Sequence, residues 1–160
     1  MVLFLLTLYE LRHDVMEICI LLAHSNAILG TGHLSPEEGA AVIRYAYTQG
    51  LRRMVVTHPE WEWTLYPLEL QRELARYSVQ FERCYFSTLA GGGGVPMATI
   101  ARAIGEVGPA STVLASNLGQ TDTLAPVEGM IDYAARLRAH GFSEADLRQM
   151  MVTGPLHLLE

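Results

Sequence analysis

A chain of 160 residues, half of them hydrophobic, can bury one substantial core, and neither repeats nor a linker divide it into two domains. The net charge is −6 and all eleven basic residues are scattered Arg, which excludes the concentrated basic surface that nucleic acid requires. No apolar run approaches the roughly 20 residues of a membrane-spanning helix.

The opening MVLFLLTLY has no basic residue before it and no small-residue cleavage pattern after it, so it does not read as a signal peptide. It reads as a buried strand, a first helical turn or the cut edge of something larger. LYELRHDVMEICILLA (8–23) has apolar spacing near 3.6 and predicts a helix, with His24 at its end. AILGT (27–31) is the first strand. Ser35-Pro36-Glu37-Glu38 then opens a helix with an N-cap, a Pro at the first position and a capping box. Gly50 closes it in the left-handed position.

RRMVVT (52–57) is the second strand, followed by the long loop HPEWEWTLYP and a helix near 67–77. VQFERCYF (79–86) is the third strand. The loop STLAGGGGV leads through Pro96 to the helix MATIARAIGEV, and its tetraglycine suits a mobile loop at an active site better than a domain boundary. TVLAS (112–116) is the fourth strand, with a helix over 126–140 and a last helix starting at Ser143. Four βα units without a convincing hairpin signal predict an α/β fold with parallel strands. Such a sheet is either open or the second half of a TIM-like (β/α)8 barrel. Cys19 and Cys84 lie in apolar segments, and two buried free thiols fit a reducing, cytoplasmic setting better than a disulfide.

In parallel α/β folds ligands bind where strands end. The first strand delivers Thr31-Gly32-His33 there, and the second delivers Thr57-His58-Pro59-Glu60. The third carries Glu82 and Cys84, then Ser87 and Thr88, and the fourth ends on Ser116-Asn117 with Gln120 beyond. His33 and His58, at equivalent places in consecutive units, can converge on one divalent ion. The plainer reading has each imidazole bonding backbone near a helix start. Trp61 and Trp63 alternate with Glu60 and Glu62 and either line a substrate pocket or cover the core. Glu82 sits mid-strand and faces either inward or outward. His13, His140 and His157 read as helix-surface or tail residues, and Arg52-Arg53 as a solvated strand entry.

GTGHLSPEE, VVTHPE and TVLASNLGQ, with the closing MMVTGPLHLL, resemble the C-terminal half of amidohydrolase-superfamily barrels. They are most similar to a poorly characterised family of metal-dependent hydrolases with TGHLS, VTHP and S-D-x-G-Q motifs. The resemblance covers nearly all of residues 8–160. It implies a divalent metal, zinc the expected ion, held by His33 and His58 as fifth- and sixth-strand ligands. It also places Asn117 at the catalytic position of the eighth-strand Asp, the general base towards a metal-activated water. Two departures stand out: no H-x-H occurs in this chain, and Asn117 is an amide that cannot accept a proton near neutral pH.

The expectation is therefore a metal-dependent hydrolase of the amidohydrolase type acting on a small-molecule substrate, truncated or reduced in activity. Trp61, Glu60, Glu82 and Gln120 are the candidate substrate-binding residues. Partners expected are a small molecule and a second copy or a missing N-terminal half, with no nucleic acid and no membrane. The alternative is a non-catalytic α/β half-barrel that self-associates or binds a small ligand. A small doubly wound domain holding an anion at helix N-termini ranks last, because no G-x-G-x-x-G or P-loop pattern supports it.

Overall fold

The computed structural model describes residues 6–7 and 10–160. Most of MVLFLLTLY, and with it the expectation placed there, lies outside the described residues. β1 (Leu6–Thr7) and β2 (Glu10–Leu11) pair antiparallel. The helix expected from residue 8 therefore starts later, as α1 (His13–Ala23), and a short ladder forms where no hairpin was foreseen. The cause is local. Arg12 is extended, and Asp14 accepts the Val15 N–H, so the carboxylate sits in the first turn where the helix dipole favours it.

The main sheet contains β3 (Leu29–Gly30), β4 (Met54–Thr57), β5 (Val79–Cys84) and β6 (Thr112–Ala115). It is all parallel, in the order β3-β4-β5-β6. Between successive strands run α2 (Pro36–Thr48), α3 (Leu68–Leu74, continued as a 3-10 turn over Ala75–Tyr77) and α4 (Met97–Val107). α5 (Pro126–Ala139), α6 (Glu144–Arg148), a π turn over Gln149–Thr153 and α7 (Gly154–Leu159) complete the chain. This is the predicted run of βα units, in the arrangement of half a TIM-like barrel. The third strand stops two residues early, because Tyr85–Thr88 wind into a 3-10 turn.

The capping chemistry read from the sequence is present. The Glu38 N–H donates to Ser35 Oγ at 3.3 Å, the Glu38 carboxylate accepts from the Ser35 N–H, and Gly50 adopts φ 96° just past the helix end. Ser143 and Asp146 repeat the box at α6.

Strand alternation sorts the two faces of the sheet. Met54, Val56, Phe81 and Leu114 are buried beneath the helices, whereas Val55, Thr57, Gln80, Glu82, Val113 and Ala115 are only half-buried on the other face. One apolar core gathers Ile43, Met54, Val56, Leu74 and Phe81, and a second gathers Tyr85, Ile104, Leu114, Tyr133, Leu137 and Met150. Between them lies a fully buried cation. Arg83 packs 5.3 Å from the Phe81 ring centre and feels the Tyr133 hydroxyl. Val127 and Ile131 of α5 remain exposed beside a groove of about 610 Å³ that runs to α6 and the π turn. Among the described residues no helix is long and apolar enough to cross a membrane.

Candidate functional site

Two strands end on a residue in the left-handed region. His58, after β4, has φ 48°, and Asn117, after β6, has φ 49°. Both residue types enter this region more readily than most, but at a cost that surrounding contacts must offset. At His58 those contacts are visible. Its N–H extends the ladder by donating to the Glu82 carbonyl at 3.2 Å, while its own carbonyl accepts from the Trp61 N–H and the Thr64 hydroxyl. The backbone turns sharply and the imidazole is directed across the end of the sheet.

Glu82 and Cys84 come from the neighbouring strand. They are two residues apart, so pleating puts both side chains on one face. The ligand atoms of His58, Glu82 and Cys84 all lie within 4.8 Å of one another. Donors around a tetrahedral zinc sit about 3.3–3.8 Å apart, so a small rotamer adjustment gathers the three. Among the described residues His58 Nδ1 is buried without a hydrogen-bond partner, an unsatisfied nitrogen that a metal ion would satisfy. A possible metal-binding trio is therefore present, and its imidazole, carboxylate and thiol fit a transition-metal ion.

Burial, reinforced by the neighbouring His33, pushes the His58 imidazole towards its neutral form. Burial raises Glu82. The Cys84 thiol is pushed far up, by burial first and then by the Glu82 and Glu60 carboxylates. All three shifts disfavour charge, as crowding acids and an imidazole in a low dielectric must. A bound dication inverts that preference for the carboxylate and the thiol.

Beside the trio is a cavity of about 170 Å³ lined by His33, His58, Trp61, Phe86, Ser87, Gly92 and Asn117. It has room for about five waters, enough for an ion and one small reacting group. The His33 and His58 ring centres are 5.7 Å apart. Two imidazoles on one tetrahedral zinc have centres about 5.2 Å apart, so this separation is close to a shared-ion geometry. Trp61 meets both rings edge-on, at 5.1 and 5.7 Å, and limits their rotation. The tetraglycine loop also reaches the site. Ala90–Gly92 form a 3-10 turn, and a Cβ on Gly92 would lie 1.9 Å from the Phe86 carbonyl oxygen, so only glycine allows this close packing.

The structure brings together His33, His58, Trp61 and Asn117, with Glu82 adjoining. It does not bring Glu60 or Gln120 into the cavity. Glu60 turns inward to Arg83, which hydrophobic patterning on β5 did not reveal, and Gln120 is exposed with its amide donating to the Asn117 carbonyl at 3.5 Å. Trp63 stacks on Trp61 from outside and is 70% exposed, so it supports the wall without lining it. Sequence reasoning placed Cys84 with Glu82 on the third strand and read it as a buried free thiol, without naming it a metal ligand. The Glu-x-Cys spacing on a strand was the available signal, since it forces the two groups to share a face. Phe86 and Ser87 enter the cavity through the 3-10 turn that replaced the predicted end of the strand.

Residues 4–82 match a family of unknown function, DUF6282, over a stretch that contains His33, His58 and Glu82 and stops before Cys84. No curated protein and no solved structure matches the chain.

Proposed function

We propose that the protein is a metal-dependent hydrolase of the amidohydrolase type, of low activity, acting on a small molecule. The observation that carries this reading is the convergence of His33 and His58 on one small cavity at the strand ends, which Asn117 also lines. The TGHLS, VTHP and SNLGQ motifs that suggested the family contribute the residues that meet there. A divalent ion, zinc the best fit to imidazole donors, would polarise the scissile group and the attacking water when bound.

The chain's own residues supply the rest. His33 and His58 would hold the ion through their imidazole nitrogens, and burial favours the neutral form of His58. Trp61 limits the rotation of both rings, and Phe86 lines the cavity with them. Asn117 orients a substrate by accepting through its amide oxygen and donating through its nitrogen. It cannot take a proton, and this keeps turnover low. The two buried free thiols suit a reducing compartment such as the cytoplasm.

Metal content and hydrolysis test the proposal together. Purified protein dialysed after zinc loading should retain about one ion per chain, and Asn117→Asp should raise hydrolysis of a panel of small amides and esters at least tenfold. A chain that retains no zinc, or an Asn117→Asp variant that folds, binds zinc and gains nothing, overturns the catalytic reading.

One observation favours a second reading, a non-catalytic half-barrel that self-associates. Val127 and Ile131 are exposed beside an apolar groove, and burying both in an interface would contribute about 3 kcal/mol. Light scattering on the eluting protein should then give twice the mass of the chain, falling to one chain with Ile131→Glu. A monomer at all concentrations counts against it.

A further inference from the structure

We propose that β5 supplies the ligands that complete the metal centre inside this chain, with Cys84 Sγ and a Glu82 carboxylate oxygen joining the His58 imidazole around one zinc-class ion. The proposal rests on the metal-binding reading above and is independent of catalysis. It makes the centre a mixed nitrogen, oxygen and sulfur site rather than one built from imidazoles alone.

Three observations carry it. The first is proximity, because the three ligand atoms lie within 4.8 Å of one another while originating on two adjacent strands whose register is fixed. The second is the His58 Nδ1, a buried imidazole nitrogen with no hydrogen-bond partner among the described residues, on the residue whose ring adjoins the carboxylate and the thiol. The third is the position of Cys84. A thiol that merely fills a core is surrounded by apolar groups, whereas this one, 2% exposed, faces an imidazole and a carboxylate.

The donor set also selects the metal. Magnesium and calcium take six or more oxygen ligands, which the trio does not offer. Thiolate with imidazole and carboxylate suits zinc, or cobalt as its spectroscopic substitute. Three protein donors leave a tetrahedral ion one open position. His33, more exposed, lines the adjoining cavity with its ring centre 5.7 Å from that of His58. The Glu-x-Cys of β5 would supply a pair of ligands two residues apart on one face of one strand.

The test is cobalt titration of the reduced wild-type protein, followed by absorption. Wild type and Cys19→Ser should both show a near-ultraviolet thiolate-to-cobalt charge-transfer band saturating at one ion per chain. Cys84→Ser should lose the band and bind cobalt at least tenfold more weakly, and Glu82→Gln should keep the band with reduced affinity. Stoichiometric cobalt without the band, or a band surviving in folded Cys84→Ser, overturns the sulfur ligand and leaves the His33–His58 site standing. No cobalt binding by wild type overturns both. If Cys84→Ser does not fold, zinc-edge X-ray absorption on zinc-loaded Cys19→Ser decides: one sulfur at about 2.3 Å supports the proposal, and a shell of nitrogen and oxygen alone rejects it.

Discussion

Glu60→Ala should destabilise the protein by about 3–5 kcal/mol, because it leaves a guanidinium buried without its counter-charge. Arg83 has no exposed side-chain surface. Its Nη1 donates to Glu60 Oε1 at 2.5 Å and its Nη2 donates to Gln71 Oε1 at 3.0 Å, while Nε has no partner among the described residues. Gln71 in turn donates to Glu60 Oε1 and to the Tyr66 carbonyl, so one carboxylate oxygen ties three side chains together. Burial pushes Glu60 up and Arg83 down, and their mutual attraction opposes both shifts. The pair is thus costly to desolvate and costlier to break. Urea denaturation measures the loss. Replacing both partners, Glu60→Leu with Arg83→Met, should recover most of it, because the apolar pair needs no desolvation compensation. A loss under about 1 kcal/mol in Glu60→Ala would show that Arg83 finds another partner.

His58→Ala should weaken zinc binding by at least about 100-fold, or about 2.7 kcal/mol, since even supporting residues of a metal ligand are worth 10–100-fold. The substitution has a second effect. Residue 58 holds φ 48°, and alanine pays backbone strain there that glycine does not. Comparing His58→Ala with His58→Gly separates the two effects. Both should lose zinc in calorimetry, and His58→Gly should unfold at higher urea than His58→Ala. Zinc affinity within about threefold of wild type in either variant would remove His58 from the centre.

Most of the fold was legible because its signals are local. Capping boxes at Ser35 and Ser143 and apolar strand runs specify elements without reference to distant residues, and the structure has them at those positions. The start of α1 was not legible, because Leu8 and Leu11 satisfy a 3.6 spacing as well as they fit a strand. The convergence of His33 and His58 could be read from their equivalent places in successive units. The role of Glu60 could not. Its position beside two tryptophans suggested a pocket wall, and only the side chain opposite it, Arg83 on the helix-covered face of β5, turns it inward. Cys84 was read correctly as a buried free thiol and placed with Glu82 on the third strand, but its closeness to His58 was not legible. Its apolar neighbours in sequence described the strand, while its neighbours in space are an imidazole and a carboxylate.

The strict sequential order of the sheet, β3-β4-β5-β6, bears on how the protein is made. Each strand pairs with the one synthesised just before it, so no pairing waits for a distant segment to emerge. His33, His58, Glu82 and Cys84 all precede α4, and Asn117 follows the last strand. On a ribosome the donor atoms can therefore assemble while the final βα unit is still being translated. If the proposed function holds, the residues that take the ion are made before the residue that meets the substrate.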